Sequence, residues 1–216
     1  MTTPRRALIL IDVQNDYFDA EGPLAIQYPS REDSLANILS TLETADQTGM
    51  PVAVVQHEYP AGAPVFAAGS EGWKVHPAVE DAVGPDATWV TKSHASVFAG
   101  TGLTEWIREQ EVDTITLVGY MTNNCVVGTA ADSEPLGLAV EVLSDATGAV
   151  HLANEAGSVS AQQVHETLMV LLHSNFAAVA TTHDWATAVA GGAVLPKSDL
   201  GSSAVQGHET QAVANA

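Results

Sequence analysis

An α/β domain built on a doubly wound, mostly parallel six-stranded sheet with helices on both faces is predicted by three observations in the chain. Short apolar runs alternate with segments of helical period. The runs are continuous in Val, Ile and Leu, as expected of strands covered on both sides. And 216 residues suffice for one large core while being few for two. The domain is expected over residues 1–190, with 191–216 as a flexible carboxyl-terminal tail. No internal repeat is visible.

The elements follow in order. Residues 6–13 form the first apolar run, which breaks at Asp12. The irregular stretch NDYFDAEGPLAIQYPS leads to a helix that opens at Ser30, carries Glu32 and Asp33 in its first turn, and closes at Gly49. Residues 51–56 form the second strand. The connection from Glu58 to Asp86 is long for a compact domain. It carries Tyr59, Phe66, Trp73, Lys74 and His76 among prolines and glycines, and reads as a wall of the substrate pocket or an insertion against a partner subunit. Residues 87–91 form a third strand, ending at Lys92. TGLTEWIREQE is a short helix, 113–119 a buried strand, and Cys125 to Leu136 a helix of small and branched residues. Residues 138–143 and 176–181 are the last strands. Between them SVSAQQVHETLMVLLHS reads as a long helix with Val164, Leu168, Leu171 and Leu172 facing the core. HDWATAVAGG is a short final helix. From Gly191 onward Gly, Ser, Ala and Gln dominate without apolar periodicity.

Charge narrows the function classes. With 26 acidic residues against 7 basic ones the formal net charge is −19, which argues against nucleic acid and anionic membranes as partners, since both demand a positive footprint. A strongly anionic substrate is disfavoured unless cations gather in the pocket, where Lys92 is the obvious one. No amino-terminal signal segment and no run of bilayer length appear, so a cytoplasmic protein is expected. A lone cysteine makes no internal disulfide, and a reducing compartment suits a catalytic thiol. No Walker loop or GxGxxG after a strand is present, and no cofactor is expected.

Three residues carry the chemistry. Cys125, the single cysteine, lies where a strand gives way to a helix, and a helix start favours thiolate over thiol. A buried structural cysteine is the competing reading. Asp12 stands at the end of the first strand, where it could instead cap a turn. Lys92, one of three lysines, ends another strand, where it could be merely solvated. Carboxylate, ammonium and thiol after three separate strands can converge in one crevice as base, positioning charge and nucleophile.

The phrases LILIDVQNDYF and TKSHASVFAGTGLTEWIREQEVDTITLVGYMTNNCVVGTAADSEPLGLAVEVLSDAT resemble the isochorismatase-like cysteine hydrolases, which include nicotinamidases and N-carbamoylsarcosine amidases. The resemblance runs from residue 6 to about 182 and rests on three separated motifs in order. It implies a catalytic triad of Asp12, Lys92 and Cys125, a non-proline cis bond between Tyr120 and Met121, and an oxyanion hole made by the amides of Met121 and Cys125. It also implies cleavage of a C–N bond in an amide, carbamoyl, ureido or lactam substrate through a thioester. Phe18, Trp73, Tyr120 and Asn124 are expected to bind that substrate. Asn123 reads as a helix cap and Thr122 as a loop-stabilising hydroxyl.

Nicotinamidases of this group carry a metal on an Asp-x-His pair after the second strand and a further His. Here Gln56 and His57 stand about where the pair belongs and the aspartate is missing. His76 is a distant candidate, and no metal is expected. The competing functions are isochorismatase-type cleavage of a vinyl ether, which needs no thiol, an idle member that binds a metabolite, and a redox-sensing thiol. The resemblance also implies a homodimer or homotetramer.

Overall fold

The computed structural model describes residues 3–214. Residues 1–2 and 215–216, the outer ends of the expected domain and tail, lie outside the described residues. One sheet of six strands has the order β3-β2-β1-β4-β5-β8: β1 (Arg6–Ile11), β2 (Val52–His57), β3 (Thr88–Lys92), β4 (Thr114–Tyr120), β5 (Ala139–Gly148) and β8 (Ala178–Ala180). Every pairing in it is parallel.

Alternation along the central strands builds a core on each face. In β1, Leu8 and Leu10 face one side with Val54 and Val118, where they meet Ile38 and Leu42 of α1 (Arg31–Thr48) and Trp185 of α6 (Thr182–Ala190). Ala7, Ile9 and Ile11 face the other side with Val55 and Leu117. They meet Leu103 and Ile107 of α3 (Leu103–Glu109), Ala130 of α4 (Val127–Ser133) and Met169 of α5 (Ala161–Leu171). Each such buried Leu or Ile contributes about 1.5–3 kcal/mol of apolar transfer. β3, one of the two edge strands, departs from a wholly buried run, with Trp89 half exposed.

The helix limits follow local chemistry. Ser30 caps α1 by accepting the Asp33 amide, and Gly49 ends it at φ 66°. Ser160 and Gln163 form a capping box, so α5 begins at Ala161; the residues before it form a hairpin, β6 (Leu152–Asn154) with β7 (Gly157–Val159), rather than the helix start expected at Ser158. In the long connection after β2, the His76 ring accepts the Ala78 amide and starts α2 (Pro77–Ala82). Beyond residue 190, where a flexible tail is expected, the chain carries a helix, α7 (Leu200–Ala214), exposed over most of its length. Among the described residues no helix is long and apolar enough to cross a membrane.

From β1 the chain winds outward to β2 and β3, then returns to place β4 on the other side of β1 and winds outward again. The switch lies between β1 and β4, and the crevice beyond their carboxyl ends is where open parallel sheets hold their sites. Gly119 makes the close approach there possible: it has φ 101° and lies in register with Ile11, whose carbonyl a Cβ would overlap.

Candidate active site

Asp12, His57, Lys92 and the turn bearing Cys125 lie at or just beyond the carboxyl ends of β1, β2, β3 and β4. Asp12 leaves β1 with φ 52°, a left-handed conformation that Asp tolerates better than most residues, and its amide donates to the Val55 carbonyl at 2.9 Å. Gln14 then ties the neighbouring strand down. Its side-chain oxygen accepts the His57 amide at 2.8 Å, and its nitrogen donates to the carbonyls of His57 (2.9 Å) and Trp73 (2.6 Å).

Lys92 reaches from edge strand β3 to the centre of the group. Its Nζ lies 2.7 Å from Asp12 Oδ2, 2.9 Å from His57 Nδ1 and 3.2 Å from Cys125 Sγ. All four residues are buried. The Asp12–Lys92 contact is short, and the Cys125 thiol and the His57 amide are further donors beside the carboxylate. The structure therefore brings Asp12, Lys92 and Cys125 into one cluster and adds His57, which sequence reasoning weighed only as a metal ligand.

Cys125 lies in the first turn of its helical run, as the sequence predicts, but its surroundings oppose the expected thiolate. Cys125 sits inside a π-helical turn, Thr122–Val126, that precedes α4. Burial and the Asp12 carboxylate push its thiol up to about 12, against the opposing pull of Lys92. The positive end of a helix gives little help to a group that is desolvated beside an anion, so these surroundings favour the thiol. Asp12 is raised as well, by burial, with Lys92 pulling the other way.

The turn is anchored from below. Thr122 Oγ1 donates to His165 Nδ1 at 3.0 Å, and His165 Nε2 donates to the Ser144 carbonyl at 2.9 Å, which fixes the neutral tautomer; burial lowers this imidazole. The bond between Tyr120 and Met121 is cis. The Asn124 and Val126 amides both turn back to the Met121 carbonyl, at 3.1 and 3.2 Å. Asn123 makes no cap: its Oδ1 is buried without a partner, because the turn is π-helical and its first amides do not face that side chain. Gln14 and His165 were not found from sequence. Gln14 lies inside the LIDVQNDYF motif, a signal that was available; a lone His on a long helix gave none.

The expected substrate-binding residues divide. Phe18 is half-buried and packs on His76 (4.4 Å between ring centroids) and Tyr120 (5.7 Å). Tyr120 itself is fully buried and its hydroxyl is committed to Ser34 of α1 at 2.6 Å. It is a prop beneath Phe18 and Tyr17 and not an exposed wall, because β4 buries every one of its residues. Trp73 is half-buried, with its carbonyl held by Gln14 and Gln56 and its indole N–H buried without a partner. Asn124 is exposed on the π turn.

Asp12, His57 and Cys125 are the one triple of metal-ligand types in reach of one another among the described residues, with donor atoms within 4.8 Å. They do not fit a cation: the Lys92 ammonium already contacts all three, and like charge opposes a second cation there.

Comparison with known proteins places this geometry. The family model for the isochorismatase domain matches residues 6–184. A solved structure of an isochorismatase-type protein from Burkholderia xenovorans superposes with a TM-score of 0.93 at 45% identity, covering 98% of this chain and 100% of that one. A secreted isochorismatase effector of Verticillium dahliae is 37% identical over 68% of this chain and 74% of its own length. The nicotinamidase/pyrazinamidase of Mycobacterium tuberculosis is 30% identical over 67% of this chain and 87% of its own.

Proposed function

The chain belongs to the isochorismatase family of hydrolases, and on that premise we propose that it is a cysteine hydrolase that cleaves a C–N bond of a small amide through a thioester. The observation that carries the reading is the buried convergence of a carboxylate, an ammonium and a thiol, at 2.7 Å and 3.2 Å from Lys92 Nζ. The likeness to a nicotinamidase/pyrazinamidase, named for two amides, supports the bond class.

Asp12 is the base. As substrate enters, it takes the Cys125 proton while Sγ bonds to the carbonyl carbon. Both groups are raised by burial, so the carboxylate is a stronger base than an exposed one, and the thiol holds its proton until an electrophile is in place. Lys92 keeps Asp12 ionised and balances the charge as the proton moves. The amides of Met121 and Cys125 bind the oxyanion, at roughly 3 kcal/mol per donor. Asp12 then gives its proton to the leaving nitrogen, the C–N bond breaks and the thioester remains. A water, deprotonated by Asp12, attacks the thioester; the C–S bond breaks, the acid leaves and the proton returns to sulfur. A cytoplasmic setting belongs to the same proposal, because a reducing compartment preserves the lone thiol.

The test is release of ammonia or amine from a panel of nicotinamide, N-carbamoyl amino acids, ureido acids and lactams. Turnover of a panel member that disappears in Cys125→Ala is the expected result. Turnover left intact in that variant overturns the thioester route.

A further inference from the structure

The two ring nitrogens of His57 have different neighbours. Nδ1 lies 2.9 Å from the Lys92 ammonium, which has donors only, so Nδ1 accepts and the ring is the neutral Nε2–H tautomer. Burial, Lys92 and His94 hold this imidazole low, at about 4. Nε2–H is therefore a donor at any physiological pH, and it is buried without a partner. The ring is not free to find one. Its backbone is gripped on both sides by Gln14, its edge meets Tyr59 at 4.6 Å and Phe66 packs at 5.6 Å. A fixed, desolvated donor is costly in the free protein and is satisfied only by an acceptor that arrives.

The ring belongs to the Asp12–Lys92–Cys125 cluster through Nδ1, which puts an acceptor for its Nε2–H beside that cluster. His57 is 5% exposed, and one of its ring nitrogens lies within 4.8 Å of both the Asp12 carboxylate and Cys125 Sγ. It stands on β2, across the crevice from the turn whose amides receive the scissile carbonyl. Trp73, held by the same Gln14 side chain and by Gln56, carries another buried N–H without a partner. The local cation is engaged with Asp12, so the open functionality around His57 is neutral and donating.

We propose that His57 Nε2–H is a substrate-anchoring donor for a second carbonyl oxygen, one beyond the carbonyl that Cys125 attacks, and that the preferred substrates are uncharged amides carrying such an oxygen. This rests on the amide-hydrolase reading and adds a specificity determinant to it. A site built to donate to an oxygen discriminates strongly against an analogue that lacks it, since the donor is then left unpaired.

Malonamide carries a second carboxamide, and with it a second carbonyl oxygen, where butyramide of similar size carries an ethyl group, and the two serve as the probes. His57→Asn keeps an acceptor near Lys92 and removes the donor at the Nε2 position; His57→Gln returns an amide N–H to about that position. The expected result is that the ratio of kcat/KM for malonamide to butyramide falls about tenfold or more in His57→Asn and is partly restored in His57→Gln. An equal fall for both amides overturns the anchor and leaves His57 as a support for Lys92. Binding of malonamide to Cys125→Ala protein, by calorimetry, separates the two readings. Binding that weakens on adding His57→Asn supports the anchor even where the wild type turns over no amide, whereas binding indifferent to His57 overturns it even where amides are hydrolysed.

Discussion

Two ion pairs are buried in this sheet, and they are built to opposite rules. In the sheet interior Arg6 of β1 meets Glu141 of β5 with its Nε at 3.0 and 3.1 Å and its Nη2 at 2.8 Å. Further partners complete much of the network: Arg6 Nη2 also donates to the Ala193 carbonyl, and Glu141 Oε2 accepts from Thr116 (2.8 Å) and Trp185 (3.1 Å). At the carboxyl ends of the strands the Lys92–Asp12 pair is equally buried, but the Asp12 carboxylate lies beside a transferable proton, that of the Cys125 thiol, and the adjoining His57 Nε2 has no partner. A saturated network holds one arrangement. An under-satisfied one keeps lone pairs and protons available, which is what proton transfer and substrate binding require.

Removing the cation from each pair, or the anion, exposes the difference. Lys92→Met is expected to lower kcat/KM by 10³–10⁴-fold, roughly 4–5 kcal/mol, while the protein stays folded, because Asp12 answers by keeping its proton. A folded variant with turnover within tenfold of wild type would remove Lys92 from the mechanism. Glu141→Leu has the reverse profile: it strands a guanidinium that has no neutral form and destabilises by about 3 kcal/mol or more, read by chemical denaturation, with kcat of the surviving folded fraction little changed.

Proton affinity sharpens the contrast. Since the raised Asp12 must be ionised to act as base, kcat/KM is expected to fall with acid at a pH above the ordinary 3.8 of a carboxyl. Cys125, pushed up to about 12 and 2% exposed, is expected to alkylate with iodoacetamide at pH 7 at least about 100-fold more slowly than free cysteine. The rate should climb through pH 10 without a plateau; a plateau below pH 9 would mean a thiolate held by Lys92 and would return the site to the activated-thiol expectation. The smallest effect belongs to the saturated pair. Thr116→Val deletes one donor to Glu141 and should cost about 1 kcal/mol of stability with no change in the pH profile of activity.

The three side chains proposed to react were legible because each interrupts or follows an apolar run, a local pattern that survives without knowledge of the fold. The strand-end rule made Asp12, Lys92 and Cys125 candidates, and the resemblance to the isochorismatase-like hydrolases set them apart from a capping Asp, a solvated Lys and a structural Cys. His57 was visible in the same way, at the end of VAVVQH, yet its role was read only as metal binding, since its use depends on an ammonium contributed by a strand 35 residues later. His165 was invisible for a similar reason: its partners, Thr122 and Ser144, are 43 and 21 residues away. Tyr120 looked like a pocket residue by its neighbours in sequence and is a core residue by its neighbours in space.

The sequence alone determined the parallel α/β class and the strand that precedes each candidate group, because apolar period and capping chemistry are local properties, while the roles proposed for those groups came from the resemblance to a known family. Only the tertiary structure decided that β1 and β4 adjoin at the switch point, that Lys92 contacts three polar partners, and that Cys125 is desolvated beside the Asp12 carboxylate. Strand order, desolvation and charge proximity are sums over residues distant in the chain, and the proton affinity of a buried group is set by that sum more than by its place at the start of a helix.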